Sequence, residues 1–449
     1  MNNNSNNNIG NNIGNNIGNN IGNNIGNNIG NNNIGKIAMF SIHSDPLALL
    51  GSQESGGQNI YVRHLAEELE KFGWSIDIFT RWDNSHKKQL VHLGKHSRVI
   101  RLKGGPVRFI PKNDLFSVLP EIFNNFLVFI NFKNPYTLFH GHYWDGGWMA
   151  LQAHLKFSVP FIENFHSIGI IKFETKRRYL KNGNEQKIEE QRINLEKDII
   201  KNASMIISLA EKEKNDLINL YGAPAEKIAV IPGGVNLKQF VNIPRDKARE
   251  KLSFNETNFI LLYIGRLEWR KGIGTLISAT KLLKNEIPKI KTIIVGGRIY
   301  GKQKNIEDFK EYQRLLKKAE EEGVKELIQF VGAVDNGQLP LFYSAADIFV
   351  IPSYYEPFGL VTLEASACKV PIIASRVGGL ETIIQDGENG FLFEPRNPLD
   401  LKEKVLQLQK SKELMEVFTE NAYRNVVANY SWQNVAAKIN NIYKSILKL

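Results

Sequence analysis

Residues 352–364 read Pro-Ser-Tyr-Tyr-Glu-Pro-Phe-Gly-Leu-Val-Thr-Leu-Glu. A proline and a glycine, which both interrupt regular structure, stand between two carboxylates, Glu356 and Glu364. Glu356 is therefore predicted to lie on a loop, and Glu364 in the first turns of a helix over 361–368. The backbone N–H groups at such a helix start attract anions, above all phosphate. An anion site between two carboxylates that can bind hydroxyls suits a nucleotide sugar, in which a diphosphate joins two polyols.

The composition limits the classes of protein that remain open. A chain of 449 residues with 42% hydrophobic side chains is long enough for two or three domains with sizeable cores. Its one cysteine, Cys368, excludes a disulfide scaffold and a cysteine-based zinc site, and is itself expected to be a small buried side chain. A reducing, cytoplasmic location is expected. No apolar run predicts a transmembrane helix, and the N-terminus does not resemble a secretory signal.

A formal net charge of +11 favours acidic partners. No dense basic run with interleaved aromatic residues is present, so nucleic acid is not expected. The richest basic cluster, at 176–181, is interpreted as a solvated face. A contact with an acceptor phosphate or with a membrane surface is the other interpretation, so a peripheral membrane contact stays open.

The first 34 residues form a low-complexity tail in which Asn-Asn-Ile-Gly recurs. Isolated isoleucines among Asn and Gly cannot bury enough apolar area to offset the chain entropy of folding. The segment 1–34 is therefore predicted to be disordered, either as a repeat expansion or as an interaction tail.

The pattern changes at residue 35, where an α/β arrangement begins. A strand over 36–41, a helix over 59–72 and a strand over 75–80 predict a βαβ unit with parallel strands. Further short buried runs extend this domain to residue 238. The fold class predicted is α/β, with doubly wound, Rossmann-like domains whose ligands bind at the carboxyl ends of the strands.

The same pattern restarts after residue 238. A strand over 259–264, a helix over 273–285 and a strand over 291–295 predict a second doubly wound domain, over 239–430. A helix over 431–449 is expected to pack back on the first domain. Two such domains face each other across a cleft, which is a preferred ligand site.

The loop from Gly265 to Gly272 follows a predicted strand and precedes a helix. Arg266 and Lys271 lie there at the cleft, where a guanidinium and an ammonium can neutralise a diphosphate. Gly57 precedes the first helix of the first domain, and its small size would let the backbone approach a ligand. The full three-glycine dinucleotide fingerprint is missing, so NAD binding is disfavoured.

Three histidines follow strands of the first domain. His166 can orient a sugar hydroxyl or act at a reacting centre, or it can be a satisfied core histidine. His140 and His142 are equally ambiguous, since a bare His-x-His is not a full ligand set. No Asp-x-Asp pair is present to hold a diphosphate-bound metal, so neither a metal nor another cofactor is expected.

These motifs resemble those of the retaining, family-four glycosyltransferases of the GT-B fold. The resemblance covers nearly all of 36–449. The motifs that carry it are Glu356-x7-Glu364, Gly265-Arg-Leu-x3-Lys-Gly272, Val-Ile-Pro-Gly-Gly-Val-Asn at 230–236, Phe-Val-Gly at 330–332, Leu339-Pro340 and the run 343–352. The segments 41–46, 56–62 and 142–147 are similar to two branches, the sucrose-phosphate synthases and the glycosyltransferases acting on inositol phosphate in mycothiol synthesis.

The resemblance implies a nucleoside-diphosphate sugar, usually UDP-linked, held mainly by the second domain. Arg266 and Lys271 would hold the diphosphate, Glu364 the ribose and Glu356 the hexose, with His166 at the reacting centre. The sugar-donor residues expected are Gly57, Arg266, Lys271, Gly359, Leu360, Val361 and Glu364, and the catalytic ones His166, Glu356, Arg266 and Lys271.

The resemblance also implies a phosphorylated hydroxyl acceptor. In the inositol-phosphate branch a Lys, a Tyr, a small hydroxyl residue and an Arg hold the phosphate, although Thr is more usual where Ser167 stands here. The acceptor-binding residues expected are His43, Asn59, Lys112, Tyr143, Ser167 and Arg192.

The expected reaction is transfer of a hexosyl unit with retention, in which the leaving phosphate accepts the acceptor's proton. Alternatives are a sugar-nucleotide epimerase of the same fold, a transferase using a lipid or glycan acceptor at a membrane surface, and a non-catalytic lectin-like protein. The sequence does not choose the donor hexose or the acceptor.

Overall fold

The computed structural model of the protein describes residues 34–48, 56–176, 183–299 and 306–449. The predicted disordered tail at 1–34 therefore lies outside the described residues apart from Ile34. The basic cluster at 176–181 also lies outside them, apart from the backbone of Lys176.

The first domain is built on a sheet of eight strands in the order β3-β4-β2-β1-β5-β6-β7-β8. β3 and β4 pair antiparallel, and the other neighbours pair parallel. The strands are β1 Gly35–Phe40, β2 Trp74–Arg81, β3 Leu90–His92, β4 Ser97–Leu102, β5 Leu138–His142, β6 Phe161–Asn164, β7 Met205–Ser208 and β8 Ile228–Val230. The helices are α1 Gly57–Lys71, α2 Leu119–Leu127, α3 Tyr143–Phe157, α4 Gly169–Lys176, α5 Gly183–Asn202 and α6 Glu211–Tyr221.

The second domain is built on a six-stranded parallel sheet in the order β11-β10-β9-β12-β13-β14. Its strands are β9 Phe259–Ile264, β10 Ile290–Val295, β11 Ile328–Gly332, β12 Ile348–Ile351, β13 Ile372–Ser375 and β14 Phe391–Phe393. The helices of this part of the chain are α7 Arg245–Leu252, α8 Ile273–Leu283, α9 Ile306–Glu321, α10 Leu339–Ala345, α11 Leu360–Ala367, α12 Leu380–Ile383, α13 Pro398–Lys410 and α14 Lys412–Asn429.

Burial on both faces explains why the strands could be read from the sequence. In β1, Ile37 and Met39 join one buried apolar cluster, whereas Ala38 and Phe40 join another on the opposite face. Such strands read as continuous hydrophobic runs, which is typical of parallel sheets covered by helices. The prediction of two doubly wound α/β domains is confirmed.

Helix α15, Trp432–Leu447, lies against α1 and the first sheet. The indole nitrogen of Trp74 in β2 donates a hydrogen bond to Asn440 Oδ1 at 2.8 Å, and the Tyr443 hydroxyl lies 2.7 Å from His140 Nδ1. One apolar cluster therefore continues from the first sheet through α15 into the second domain.

Within the described ranges, no helix combines the length and the apolar character needed to cross a membrane.

The hydrogen bond between Trp74 and Asn440 is buried, so its loss should lower the stability of the protein. Asn440→Ala would leave the indole N–H without its acceptor and is expected to lower the free energy of unfolding by about 1–3 kcal/mol. The adjacent Asn441 is exposed on the same helix, and Asn441→Ala should change stability by less than about 0.5 kcal/mol. Urea unfolding followed by tryptophan fluorescence measures both, and equal losses would contradict a specific bond.

Candidate active site

A cavity of about 590 Å³ lies between the two domains. The residues that line it follow the carboxyl ends of strands from both sheets, among them His43 after β1, His166 after β6, Arg266 after β9 and Glu356 after β12. The volume is within the range of small-molecule sites. The domains approach closely here, because Ser167 Oγ of the first lies 3.4 Å from the Tyr355 hydroxyl of the second.

Most of the residues predicted from the sequence meet in this cavity. The lining includes every predicted sugar-donor and catalytic residue, together with His43, Lys112, Tyr143 and Ser167. Asn59 and Arg192 are not part of the lining, and both are almost fully buried behind it.

The cationic side of the cavity is the loop between β9 and α8. The Glu268 carboxylate bridges two guanidinium groups, with Oε1 2.7 Å from Arg266 Nη1 and Oε2 2.7 Å from Arg270 Nε. Burial would raise the pKa of Glu268, but the charges of Arg266 and Arg270 outweigh it and lower that pKa. Arg266 is thus held in place by a partner from its own loop.

Lys271, at the end of the same loop, forms an ion pair with Glu356 from the loop after β12. Burial would raise the pKa of Glu356, but the neighbouring charges of Lys271 and Arg270 lower it below the ordinary value. Glu356 is therefore a carboxylate at neutral pH. This ion pair connects the loop 265–272 with the segment 352–364, which are far apart in the sequence.

Arg270 and Glu268 were not predicted as site residues, although both line the cavity. The sequence did offer them as candidates, since both stand inside the predicted cleft loop 265–272. All four charged residues of the loop line the cavity, which spacing alone does not reveal.

Helix α11 begins directly at the cavity. Its first residue, Leu360, is preceded by Gly359 at φ 93°, a left-handed conformation that favours glycine. A Cβ at Gly359 would lie 2.6 Å from Leu380 Cδ2, so a side chain there would also require Leu380 to shift. The first N–H groups of a helix have no acceptor within the helix, and those of α11 mark a positive end beside Lys271 and Arg266.

Glu364, one turn into α11, is buried and accepts a hydrogen bond from the Tyr343 hydroxyl at 2.7 Å. Burial raises the pKa of Glu364 to about 7, against the lowering effect of that hydrogen bond. Tyr343 on α10 was not predicted as a site residue, but it orients the carboxylate from behind.

The wall that the first domain contributes to the cavity, opposite the second domain, carries Tyr143 and Lys172. Lys112 of the same domain also lines the cavity, near enough to Glu268 to lower its pKa. Tyr143 starts α3 at φ 67°, an unfavourable conformation for a residue with a side chain, and such strain often occurs at functional sites. Its hydroxyl lies between two cations, 2.8 Å from Arg192 Nη1 and 3.4 Å from Lys172 Nζ. Lys172 is a further lining residue that the sequence did not single out.

Arg192 supports this wall from behind. Its guanidinium donates to the Glu196 carboxylate at 2.7 Å, to the Tyr143 hydroxyl and to the carbonyl oxygen of Ser167. Each of its three guanidinium nitrogens donates to a protein partner, and the buried side chain lies outside the lining, where it orients two predicted acceptor-binding residues.

Asn59 is similarly used within the protein. Its amide donates to the carbonyl oxygen of Asp45 at 2.6 Å, and its Oδ1 accepts from the N–H of Gly56 at 2.7 Å. The side chain thereby fixes the start of α1 against the loop after β1, which brings Gly57 to within contact distance of Leu360 in the second domain.

Two histidines of the first domain face the cavity. His43 is held by Asp145, whose Oδ2 lies 2.6 Å from His43 Nδ1. His166, at φ 56°, has its Nε2 3.1 Å from His142 Nδ1. Burial lowers the pKa of His166 well below its ordinary value, assisted by the nearby His140 and His43, so His166 is neutral at physiological pH.

Among the residues that the structure describes, no group of three or more His, Cys, Asp or Glu side chains is arranged to hold a metal ion. Independence of metal stays a prediction.

Two family models match the chain. The model described as "Glycosyl transferases group 1" matches residues 244–425, and "Glycosyltransferase Family 4" matches residues 55–239. The two matches correspond to the second and the first doubly wound domain.

Relatives of known function cover almost the whole chain. A D-inositol 3-phosphate glycosyltransferase of Corynebacterium jeikeium is 30% identical over 416 residues, which is 92% of this chain and 97% of the relative. The enzyme of the same name from Corynebacterium urealyticum is 31% identical over 417 residues, with 92% and 96% covered.

Solved structures share the arrangement of the two domains. The sucrose-phosphate synthase of Thermosynechococcus elongatus has a TM-score of 0.83 and 34% identity, covering 92% of this chain and 99% of that chain. HepE of Anabaena, solved with UDP and glucose, has a TM-score of 0.70 at 18% identity, with 91% and 99% covered. The predicted GT-B fold is confirmed by these likenesses.

The raised pKa of Glu364 makes stability depend on pH. Between about pH 4.5 and 7 the folded protein keeps a proton that the unfolded chain has released, and this contribution is lost as the pH rises through about 7. Glu364→Gln has no such proton. Its stability relative to the parent protein should therefore rise by about 2–3 kcal/mol from pH 4.5 to pH 8.

Urea unfolding at several pH values measures this difference. Glu381→Gln, which changes an exposed glutamate of the same domain, is the matched control and should track the parent protein. A constant difference between Glu364→Gln and the parent across the range would contradict a buried, protonated Glu364.

Proposed function

The chain belongs to the glycosyltransferases of group 1 and family 4, and on that premise we propose that it moves a hexosyl unit from a nucleoside-diphosphate sugar to a hydroxyl of a phosphorylated acceptor, with retention of configuration. The enzyme class follows from the family and from relatives that cover almost the whole chain. The identity of the substrates and the retention of configuration are what we propose.

One observation carries the proposal. Arg266, Lys271 and the start of α11 line the second domain's part of the cavity, and so do Glu356, which precedes that helix start in the chain, and Glu364, which follows it. A diphosphate needs cations and N–H donors at one place, while the ribose and hexose on its two ends need hydrogen-bond acceptors. The layout of this wall therefore fits a nucleotide sugar from end to end.

The first nucleotide to test is UDP. HepE, which shares the fold, was solved with UDP and glucose. UDP-glucose is accordingly the first sugar donor to offer, with GDP- and ADP-linked sugars beside it.

The opposite wall supports a phosphorylated acceptor. Lys172 lies beside the Tyr143 hydroxyl, which Arg192 orients, and Lys112 also lines the cavity. The two relatives named above act, by their names, on D-inositol 3-phosphate, and the solved structure with 34% identity is a sucrose-phosphate synthase. Both names, like the net charge of +11, are compatible with an anionic acceptor.

In the proposed reaction the bond between the anomeric carbon and the β-phosphate oxygen breaks, and a bond to the acceptor oxygen forms on the same face. The acceptor's proton passes to the leaving phosphate. Arg266, Lys271 and the N-terminus of α11 stabilise the charge that develops on that phosphate. The protein thus contributes positioning and electrostatic stabilisation, and closure of the cleft limits hydrolysis.

A screen for release of the nucleoside diphosphate, UDP, GDP or ADP according to the sugar donor, tests the proposal. Each nucleotide sugar is offered with inositol 3-phosphate, fructose 6-phosphate and their unphosphorylated counterparts, with and without EDTA. Turnover that requires a phosphorylated acceptor supports it. Equal turnover with unphosphorylated acceptors would overturn the acceptor class, and formation of an epimer without any acceptor would favour an epimerase.

Lys271→Ala removes one of the two cations expected on the diphosphate. Loss of a preorganised electrostatic contact should lower kcat/KM about 10²–10³-fold. Lys281→Ala, which changes an exposed lysine of α8, is the control and should leave the steady-state constants unchanged. An unaltered kcat/KM for Lys271→Ala would refute the diphosphate role.

Lys172→Ala tests whether the wall that carries Tyr143 binds the acceptor and not the sugar donor. Because Lys172 stands beside Tyr143, we expect its loss to raise KM for the phosphorylated acceptor by about tenfold or more, the scale of one charge-assisted contact. KM for the sugar donor should not change. The control is Lys156→Ala, at an exposed lysine of the same domain. If both KM values rose together, a specific acceptor contact would be ruled out.

A further inference from the structure

His142, at the end of β5, touches the histidine that lines the cavity. Its Nδ1 lies 3.1 Å from His166 Nε2, and the two ring planes are inclined by 29° with centroids 5.3 Å apart, so the rings meet edge to edge. Burial lowers the pKa of both imidazoles well below their ordinary value. Each ring therefore carries a single N–H, and one ring must donate to the other.

The other nitrogen of His142 decides which ring donates. His142 Nε2 is fully buried and has no hydrogen-bond partner within the described residues. If this nitrogen carried the proton, a buried N–H would be left unpaired, and proteins avoid this more strictly than an unpaired acceptor. The favoured arrangement therefore has the proton on His142 Nδ1, which donates to His166 Nε2.

This arrangement fixes the second ring. If His166 Nε2 accepts, the single proton of His166 must be on Nδ1, the nitrogen that remains for the cavity. We propose that His142 is a positioning residue that holds His166 in the Nδ1–H tautomer, so that His166 presents a hydrogen-bond donor to a hydroxyl of the transferred sugar. The sugar contact rests on the proposed function, whereas the tautomer does not.

Neighbouring aromatic rings hold His142 and His166 in this arrangement. The Tyr61 ring meets His166 edge-on with centroids 4.9 Å apart, and the His140 ring packs against His142 in a tilted arrangement with centroids 4.1 Å apart. His140 in turn contacts the Tyr443 hydroxyl of α15 at 2.7 Å. The C-terminal helix thus supports the histidine of the cavity through two buried rings.

The tautomer can be read directly by NMR of the full chain labelled with 15N-histidine. The ring signals of His166 are assigned by comparison with His166→Asn. We expect a protonated Nδ1 and a bare Nε2, although free histidine prefers the opposite tautomer. A protonated Nε2, or protons on both nitrogens, would overturn the proposal.

Two substitutions at His142 test its role. The amide of His142→Asn can place an N–H where Nδ1 stands, whereas His142→Leu keeps bulk but offers no donor. In His142→Leu we expect His166 to lose its single tautomer and kcat to fall about 10²-fold. His142→Asn should keep the tautomer and most of kcat. Circular dichroism checks that both fold.

The outcomes separate the two proposals. Equal losses of kcat in both variants, with the tautomer of His166 unchanged, would make His142 a packing residue only. If the protein turned over no nucleotide sugar while His166 still showed a protonated Nδ1, the proposed function would fail and the tautomer assignment would stand.

Discussion

Mutual neutralisation of opposite charges holds the cationic wall of the cavity together. Arg266, Arg270 and Lys271 stand together in a partly buried loop, where like charges would repel strongly. Glu268 bridges the two arginines, and Glu356 pairs with the lysine. These contacts leave one positive charge in excess and tie the loop after β9 to the loop after β12. The wall is therefore ordered by protein contacts and still attracts an anion.

The facing wall is ordered differently. Its polar groups are oriented by buried side chains that lie behind the lining. Arg192 orients Tyr143 and Ser167, Asp145 orients His43, and His142 contacts His166. Such support leaves the lining groups their remaining hydrogen-bonding capacity for a ligand. A substitution behind this wall can therefore alter the cavity without touching it.

The sequence predicts more of the fold than of the support around the cavity. Strands covered on both faces appear as uninterrupted apolar runs, and the strands predicted at 36–41, 75–80, 259–264 and 291–295 match β1, β2, β9 and β10 to within one residue at each end. The edge strand β14 was not predicted. The short antiparallel edge strand β3, with Leu90 40% exposed, has no such run and was missed. The site motif was visible because Glu356, Gly359 and Glu364 are close in sequence.

Residues that contribute to the cavity only through tertiary contacts form no comparable pattern in the sequence. Tyr343 reaches Glu364 from another helix, and Lys172 meets Tyr143 across two segments of the first domain. Asn59 and Arg192 stand in matching motifs, yet sequence cannot distinguish a side chain that lines a cavity from one that supports the lining. That distinction depends on which direction each backbone segment faces, and the packing of the whole domain sets it.

The connections between the domains constrain how the two walls can move. The chain passes from the first domain to the second after β8 and returns before α15, and these crossings lie side by side. Val235 donates its N–H to Tyr430 O at 2.8 Å and forms a β-bridge with Ser431, while Gly234 packs against Trp432. Two paired crossings at one edge of the cleft are where we expect a hinge between the domains. Rotation about that edge would separate the wall with Arg266 and Lys271 from the wall with Tyr143 while leaving each wall's own supporting contacts intact.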